Sequence, residues 1–574
     1  MAVTPRPPEA GPADWQTHKV SNQPPPLDGV DLFSTNLPLV EATVRDGAAW
    51  AVQRAAALGR TVGGEPIQWG FQANENVPVL HTHDRYGNRI DEVSFHPAWH
   101  RLMALSVEHE LHALPWRSAQ PGRHVARAAM YVTAMQAEAG FACPTTMTFA
   151  AVPALRSTPE LAAEWEPLLT AATYDPALVR SADKGSALAG MAMTEKQGGS
   201  DVRANTTAAT PLRRFGLGAT GSGPGAEYSL TGHKWFCSAP MSDLFLVLAQ
   251  APEGLSCFAM PRILPDGTRN HVQIQRLKNK LGNRSNASSE IELQGAWARM
   301  LGDGGRGVAT IIEMVAHTRL DCALGAAAMM RIGVAQATHH AAHRSAFGAP
   351  LADQPLMRNV LADLCVESDA TTAVVMRLAR AYDDAEAGDA DAEQFRRVAT
   401  AVAKYWVCKR APNHAFESME CLGGNGYVED SGMPRLYREA PLMSIWEGAG
   451  NVMALDVLRA LARAPRVAEV FLEEIESAAG GDARLDAHVA KVRSDLAAID
   501  GYSAPDLQAR ARLVTERMAL ALQGSLLVRH APAAVADAFC ASRLGGEGGL
   551  EYGTLPAGTD FGAIVERHSP LHNL

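Results

Sequence analysis

Met191-Ala-Met-Thr-Glu-Lys-Gln-Gly-Gly-Ser-Asp201 and, further along, Gly232-His-Lys-Trp-Phe-Cys-Ser238 are the two segments that decide how this chain is read. The first has the pattern of a strand ending in a loop. Gly198 and Gly199 lack a Cβ, so their backbone N–H groups can approach a bulky anion closely. Thr194 and Ser200 add hydroxyls that can donate to polar ring atoms or phosphate oxygens. The second segment reads as a strand carrying two adjacent aromatics, Trp235 and Phe236, followed by the hydroxyl of Ser238. A flat polar ring with a diphosphate tail needs a stacking face, a few directed donors and a phosphate cradle. Taken alone, Thr194–Asp201 fits an ordinary surface turn equally well.

The rest of the chain narrows the choice. With 574 residues and 47% hydrophobic content, it has the material for several globular units with large cores. Its net charge of −10 disfavours nucleic acid or anionic lipid as a general partner. No apolar run reaches the roughly 18 residues that a bilayer-spanning helix needs, and the start lacks the apolar segment of a signal peptide. The 8 cysteines form no CxxC pair. Reduced thiols in a cytoplasmic protein are expected, with neither a disulfide frame nor a zinc site.

Residues 1–40 are Pro-rich and read as an extended arm, with Pro24-Pro25-Pro26 excluding helix there. Residues 41–187 carry small and apolar residues at helical spacing, as at Ala126, Met130, Ala134 and Ala137. The histidine pairs 81/83, 96/100 and 109/112 invite a metal reading, but His109-Glu110-Leu111-His112 is not HExxH, its second histidine falling at i+3, and all three pairs read as solvated or core-edge residues. Residues 188–303 switch to a period of two, seen at Val272 and Ile274 and at Ile291 and Leu293. The apolar run Leu244–Leu248 lies among them, and a compact antiparallel β-domain is expected. Gly216–Gly221 fits GxGxxG but lacks the flanking strand and helix of a dinucleotide fold, so it reads as a hairpin tip. Residues 304–462 return to long helices, about 308–346, 356–386 and 392–422, with a fourth after Pro441 and Gly450: a four-helix bundle. Residues 463–574 form a further helical extension. The fold class is therefore α+β, mostly α.

Seven motifs in order connect these blocks. Thr194–Asp201 resembles the TEPxxGSD of the acyl-CoA dehydrogenase family, and Gly232–Ser238 its GxKxWIT. Leu281-Gly-Asn-Arg-Ser285 resembles LGxRxS, and Arg344-Ser-Ala-Phe-Gly348 resembles RxxFG. Leu422-Gly-Gly-Asn-Gly-Tyr427 resembles LGGxGY, Arg435-Leu-Tyr-Arg438 resembles RxYRD, and Ile445-Trp-Glu-Gly448 resembles IYEG. The arm segment Pro24–Phe33, the phrase Leu281–Ser288 and the long extension resemble more narrowly the bacterial adaptive-response, alkylation-response branch. The resemblance implies a cytoplasmic homotetramer holding FAD and acting on an acyl-CoA thioester, with an unspecified electron-transfer partner.

The resemblance also implies roles. Met193 and Thr194 would bind the flavin pyrimidine edge, and Gly199 and Ser200 the pyrophosphate. Phe236 would lie against the isoalloxazine and Ser238 beside N5. Arg344, Phe347, Gly423, Gly424 and Asn425 would reach the ADP half of FAD in a neighbouring subunit. Gln354 lies one position early for the family's glutamine, and Asn451 follows the last motif; both are carried over as FAD contacts. Arg319 and Trp446 would meet substrate. Glu447 would be the base that removes the acidic α-proton of a short or branched acyl thioester. Some members place that base just before an arginine on the long bundle helix; here that position is Thr318, which cannot act as a base. The bland alternative for Glu447 is an ion pair with an arginine such as Arg438. The narrower branch implies a second function, protective binding of double-stranded DNA through basic residues in the extension, with vestigial catalysis. Residues 451–574 hold 12 Lys and Arg against 16 Asp and Glu, a net −4 that disfavours generic DNA contact. Arg510, Arg512 and Arg517 form a local basic group on one helix.

Overall fold

A computed structural model describes residues 17–212 and 222–571. The proposed hairpin tip at 216–221 and the first 16 positions of the arm lie outside the described residues. Residues 17–31 contain neither helix nor strand, in keeping with the prolines, Leu32–Thr35 form a turn, and the first helix already begins inside the expected arm, at Leu37–Thr43.

The N-terminal block is helical but not wholly so. Strands β1 (Val79–His83) and β2 (Arg89–Ser94) pair as a hairpin that the sequence reading did not anticipate. The hairpin is tied to the following domain: Arg89 Nη2 donates to the Ile274 carbonyl at 3.2 Å, and Asp91 Oδ1 accepts from Ile274 N at 3.2 Å. Its role as a link between domains accounts for a strand pair within a helical block.

Seven strands follow: β3 (Ala189–Ala192), β4 (Ala208–Pro211), β5 (Glu227–Ser238), β6 (Leu244–Ala251), β7 (Gly254–Pro261), β8 (Val272–Leu277) and β9 (Ser288–Leu301). Pairing runs β6-β4-β5-β9-β7 and returns to β6, closing a ring; β3 flanks β6 and β8 flanks β9. The pairings are antiparallel as expected except β3–β6 and β4–β6, which are parallel. Strand β6 explains its own composition. Leu244, Leu246 and Leu248 face a core shared with Leu155 and Trp165, while Phe245, Val247 and Ala249 face a second core with Tyr228 and Phe258. A strand covered on both faces needs no polar alternation.

Helices Gly307–His343, Pro355–Glu386 and Ala390–Glu420 agree with the sequence reading to within a few residues. Two short helices follow, Met433–Ile445 and Gly450–Arg463. The first was not anticipated, because Pro441 was read as a break; the proline is accommodated within it. The extension from Pro465 packs on the bundle. A single apolar core runs from Val30 through the bundle to Ile564, and Trp406 Nε1 donates to Gln523 Oε1 at 2.9 Å across the junction. No helix among the described residues is long and apolar enough to cross a membrane.

Candidate active site

The two segments quoted at the outset are joined by charges that look like surface residues in the sequence. Glu195 and Lys234 are completely buried, and Lys234 Nζ lies 2.9 Å from Glu195 Oε1. Glu195 also accepts from the backbone N–H and hydroxyl of both Thr206 and Thr207, and Lys234 donates to the Leu248 carbonyl at 2.7 Å. These donors hold the Glu195 carboxyl far below the usual carboxylate range despite its burial. The pair fixes the glycine turn against β5, and sequence reasoning assigned neither residue a role. Its trace was present nonetheless: each residue sits inside one of the two motifs.

On this base the turn folds back tightly. A Cβ added to Gly199 would lie 2.6 Å from Thr194 Oγ1, so any side chain here would displace the Thr194 hydroxyl. The Met193 carbonyl accepts from Asn205 Nδ2 at 2.8 Å. On β5, Lys278 Nζ sits 3.5 Å from the Trp235 ring centre and 4.4 Å from that of Phe236. Phe236 remains 50% exposed, an open aromatic face beside a cation. Ser238 Oγ is 3.2 Å from Ser288 Oγ and also interacts with the Cys143 thiol.

Cys143 lines a small cavity of about 20 Å³ together with Tyr131, Met135, Thr318, Trp446 and Glu447. Glu447 has a left-handed backbone, φ 56°, and its segment is clamped from three directions. Lys404 Nζ donates to the Trp446 carbonyl at 2.8 Å and the Gly448 carbonyl at 2.5 Å, and Arg319 Nε donates to the Glu447 carbonyl at 3.0 Å. The strained conformation persists because these cations hold it. Thr318 Oγ1 donates to Glu447 Oε2 at 2.7 Å. The two family positions for the base therefore meet at one point in space, and this chain puts its carboxylate on only one of them. Burial raises the Glu447 pKa, while Thr318, Arg319 and Lys404 work against that rise. Arg438 pairs with Glu429 at 2.6 Å, so the bland alternative for Glu447 does not hold. Arg319 is committed to the Glu447 backbone and, at 3.0 Å, to Asp456; its guanidinium supports the loop.

In the cavity wall, which Asp321 and Thr146 also line, lies a second pair absent from the sequence reading. Arg127 and Asp321 are fully buried and joined bidentately, both contacts at 2.7 Å, and Thr146 Oγ1 donates to Asp321 Oδ2 at 2.6 Å. Their sequence separation left no local signal.

The remaining candidates form an outer group. Arg344 donates to the Asn22 carbonyl, Asn22 Nδ2 donates to the Ser345 carbonyl at 2.8 Å, and Asn425 Nδ2 donates to Gln23 Oε1 at 3.3 Å. The strap thus joins the two turns that the resemblance assigns to a neighbour's FAD. Phe347 is 98% exposed with φ 52°, and Cβ atoms on Gly423 or Gly424 would meet nothing. Gln354 Nε2 donates to the Ala346 carbonyl at 3.1 Å. Asn451 Oδ1 accepts from Arg512 Nε at 2.8 Å, a contact with the extension. Arg510 and Arg517 face Asp495 at 3.7 Å and 2.6 Å. The paired histidines are structural: His112 Nε2 bonds the Ala171 carbonyl at 3.0 Å, and His100 bonds Tyr174. Among the described residues no His, Cys, Asp or Glu cluster suits a metal ion.

Family models match three successive regions: the adaptive response protein AidB N-terminal domain over 22–176, the acyl-CoA dehydrogenase middle domain over 190–296, and the acyl-CoA dehydrogenase C-terminal domain over 305–462. The chain belongs to the acyl-CoA dehydrogenase family. It is 44% identical to the putative acyl-CoA dehydrogenase AidB of Escherichia coli over 93% of this chain and 96% of that one. It is 31% identical to acyl-CoA dehydrogenase family member 11 of Caenorhabditis elegans, over 83% of this chain and 79% of that one. A solved Caenorhabditis elegans ACDH-11 in complex with C11-CoA superposes with a TM-score of 0.82 at 27% identity, covering 93% of this chain and 95% of that one. The family's cofactor is FAD, and the open space over Gly198 and the half-exposed Phe236 beside Lys278 fit such a group.

Proposed function

We propose that this acyl-CoA dehydrogenase removes the α-proton of a short or branched acyl-CoA with the Glu447 carboxylate. FAD, when bound, would supply the acceptor for the β-hydrogen and its two electrons. Met193, Thr194, Gly199, Ser200, Phe236 and Ser238 would hold its flavin half. The single observation that carries the reading is the Glu447 carboxyl on the wall of a largely apolar cavity that Cys143 also lines.

The chain's own groups prepare the proton transfer. Met135, Met443 and Trp446 exclude water, which makes the carboxylate a stronger base than in solvent. Thr318 fixes one carboxylate oxygen, leaving the other to face the substrate. Arg319 and Lys404 hold the loop, so the carboxyl is positioned before substrate arrives. Glu447→Gln tests the assignment: the variant keeps FAD and loses turnover with butyryl- or isovaleryl-CoA, and retained turnover moves the base elsewhere.

Assembly supports the same reading. Arg344, Phe347, Gly423, Gly424 and Asn425 lie at the surface and would complete the FAD site of another copy, in a homotetramer. An aromatic ring left this exposed suits such an interface. The resemblance to the adaptive-response branch implies a second partner, double-stranded DNA, held through basic residues near and within the extension. The extension's ion-paired arginines offer that partner little free charge. Anisotropy at two salt concentrations decides it: no binding at low salt ends the DNA reading.

A further inference from the structure

The Glu447 cavity has a neighbour. A chamber of about 290 Å³ lies between the N-terminal strap, which supplies Pro24–Leu27, and the faces of neighbouring helical segments. The two spaces share Met135 and Ala139 as lining residues. They also follow one another along single helices. On Gly307–His343, Thr318 and Cys322 line the cavity, while Met329 and Ile332 line the chamber; Gly325 falls between. On Met433–Ile445, Met443 lines the cavity, and Met433 and Leu436 line the chamber. Steps of three or four residues keep all of these on one helix face.

The boundary is thin and made of methionine. A Cβ placed on Gly325 would sit 3.2 Å from Met135 Cε and 3.2 Å from Met443 Sδ. The ends of both methionines therefore rest in the space that the missing side chain leaves. Methionine has three rotatable bonds and repacks at low cost, so a wall of two methionine tips yields where leucine or phenylalanine would not. The chamber beyond offers apolar surface from Ile67, Phe71, Met329, Ile332, Met433 and Leu436. Polar groups share that lining: the Arg435 guanidinium lies 4.5 Å over the Phe71 ring, and Arg435 Nη1 and Glu439 Oε2 find no protein partner. Such atoms call for water, and the apolar groups beside them can take an alkyl chain.

We propose that Met135 and Met443 form a movable partition at Gly325, and that acyl tails too long for the Glu447 cavity pass it into the chamber beneath the strap. The inference rests on the proposed acyl-CoA reading and extends its substrate class to straight medium and long chains. The ligand class is an unbranched alkyl tail on a CoA thioester, and the specificity-determining positions are 135, 325 and 443.

Binding can be separated from turnover. FAD-loaded Glu447→Gln is titrated calorimetrically with butyryl-CoA and dodecanoyl-CoA, alone and combined with Gly325→Val or Met135→Ala. Added methylenes that leave water give dodecanoyl-CoA an advantage of about tenfold or more. Gly325→Val, whose branches occupy the space of the methionine tips, removes that advantage and leaves butyryl-CoA within about twofold. Met135→Ala keeps it. Equal affinity for the two chains in both the parent and the Met135→Ala background overturns the proposal, as does an equal loss for both chains in Gly325→Val. Failure of the catalytic reading would appear elsewhere, as flavin bleaching that does not depend on Glu447.

Discussion

The inner and outer halves of the candidate FAD site differ in how complete they are. The inner half is closed within one chain: Glu195 and Lys234 are buried against each other, and the Glu447 loop is clamped by Lys404 and Arg319. The outer half is open: Phe347 is 98% and Tyr427 81% exposed, and their turns are tied mainly to the strap through Asn22 and Gln23. On the proposed reading, one chain builds the reacting end of the site by itself, and the other end, a surface, would complete the site of a second copy.

Substitutions at each end should separate the two halves. The largest effect belongs to Glu447→Gln. Loss of a positioned base costs about 10²–10⁴-fold in kcat, while the FAD content, read from the visible spectrum, stays the same. Lys234→Met comes next. It leaves Glu195 charged and unpaired in the interior, which costs about 3–5 kcal/mol; thermal melting should show the loss, accompanied by weakened FAD retention. A melting temperature equal to that of the parent would show that the pair does not fasten the turn to β5.

Phe347→Asp acts only on the open half. It should shift the mass measured by light scattering toward smaller species and lower FAD occupancy, while monomer secondary structure by circular dichroism is unchanged. An unaltered assembly would mean that this surface does not join subunits. The smallest effect is on pH. Thr318 donates to the Glu447 carboxylate and so favours its charged form. Thr318→Val therefore raises the pKa further, and the acid limb of the kcat–pH profile moves to higher pH. A hydrogen bond of about 1 kcal/mol corresponds to a shift of up to about one unit. A limb that moves down, or stays in place, would exclude that bond from setting the base.

Some of this architecture was legible in the sequence. The unbroken apolar run Leu244–Leu248 marked a strand covered on both faces, and the paired glycines at 198 and 199 marked a close backbone approach. The long helices were marked by their periodicity and by Pro355 and Gly423. What escaped reading depends on partners distant in the chain. Glu195 and Lys234 have the composition of surface residues, and only their mutual contact makes them core. Arg127 meets Asp321 across nearly 200 positions, 194 in separation. Helix Met433–Ile445 was hidden by Pro441, which tertiary packing tolerates. The hairpin Val79–Ser94 was hidden because its reason for existing is the β-domain beside it.

The most direct test is the visible spectrum of the purified protein, recorded without oxygen before and after addition of butyryl-CoA, for the parent and for Glu447→Gln. The account predicts a yellow protein in both cases, with the flavin band bleached by the thioester in the parent and unchanged in the variant. Equal bleaching in both, or a colourless protein that cannot take up FAD, would contradict it.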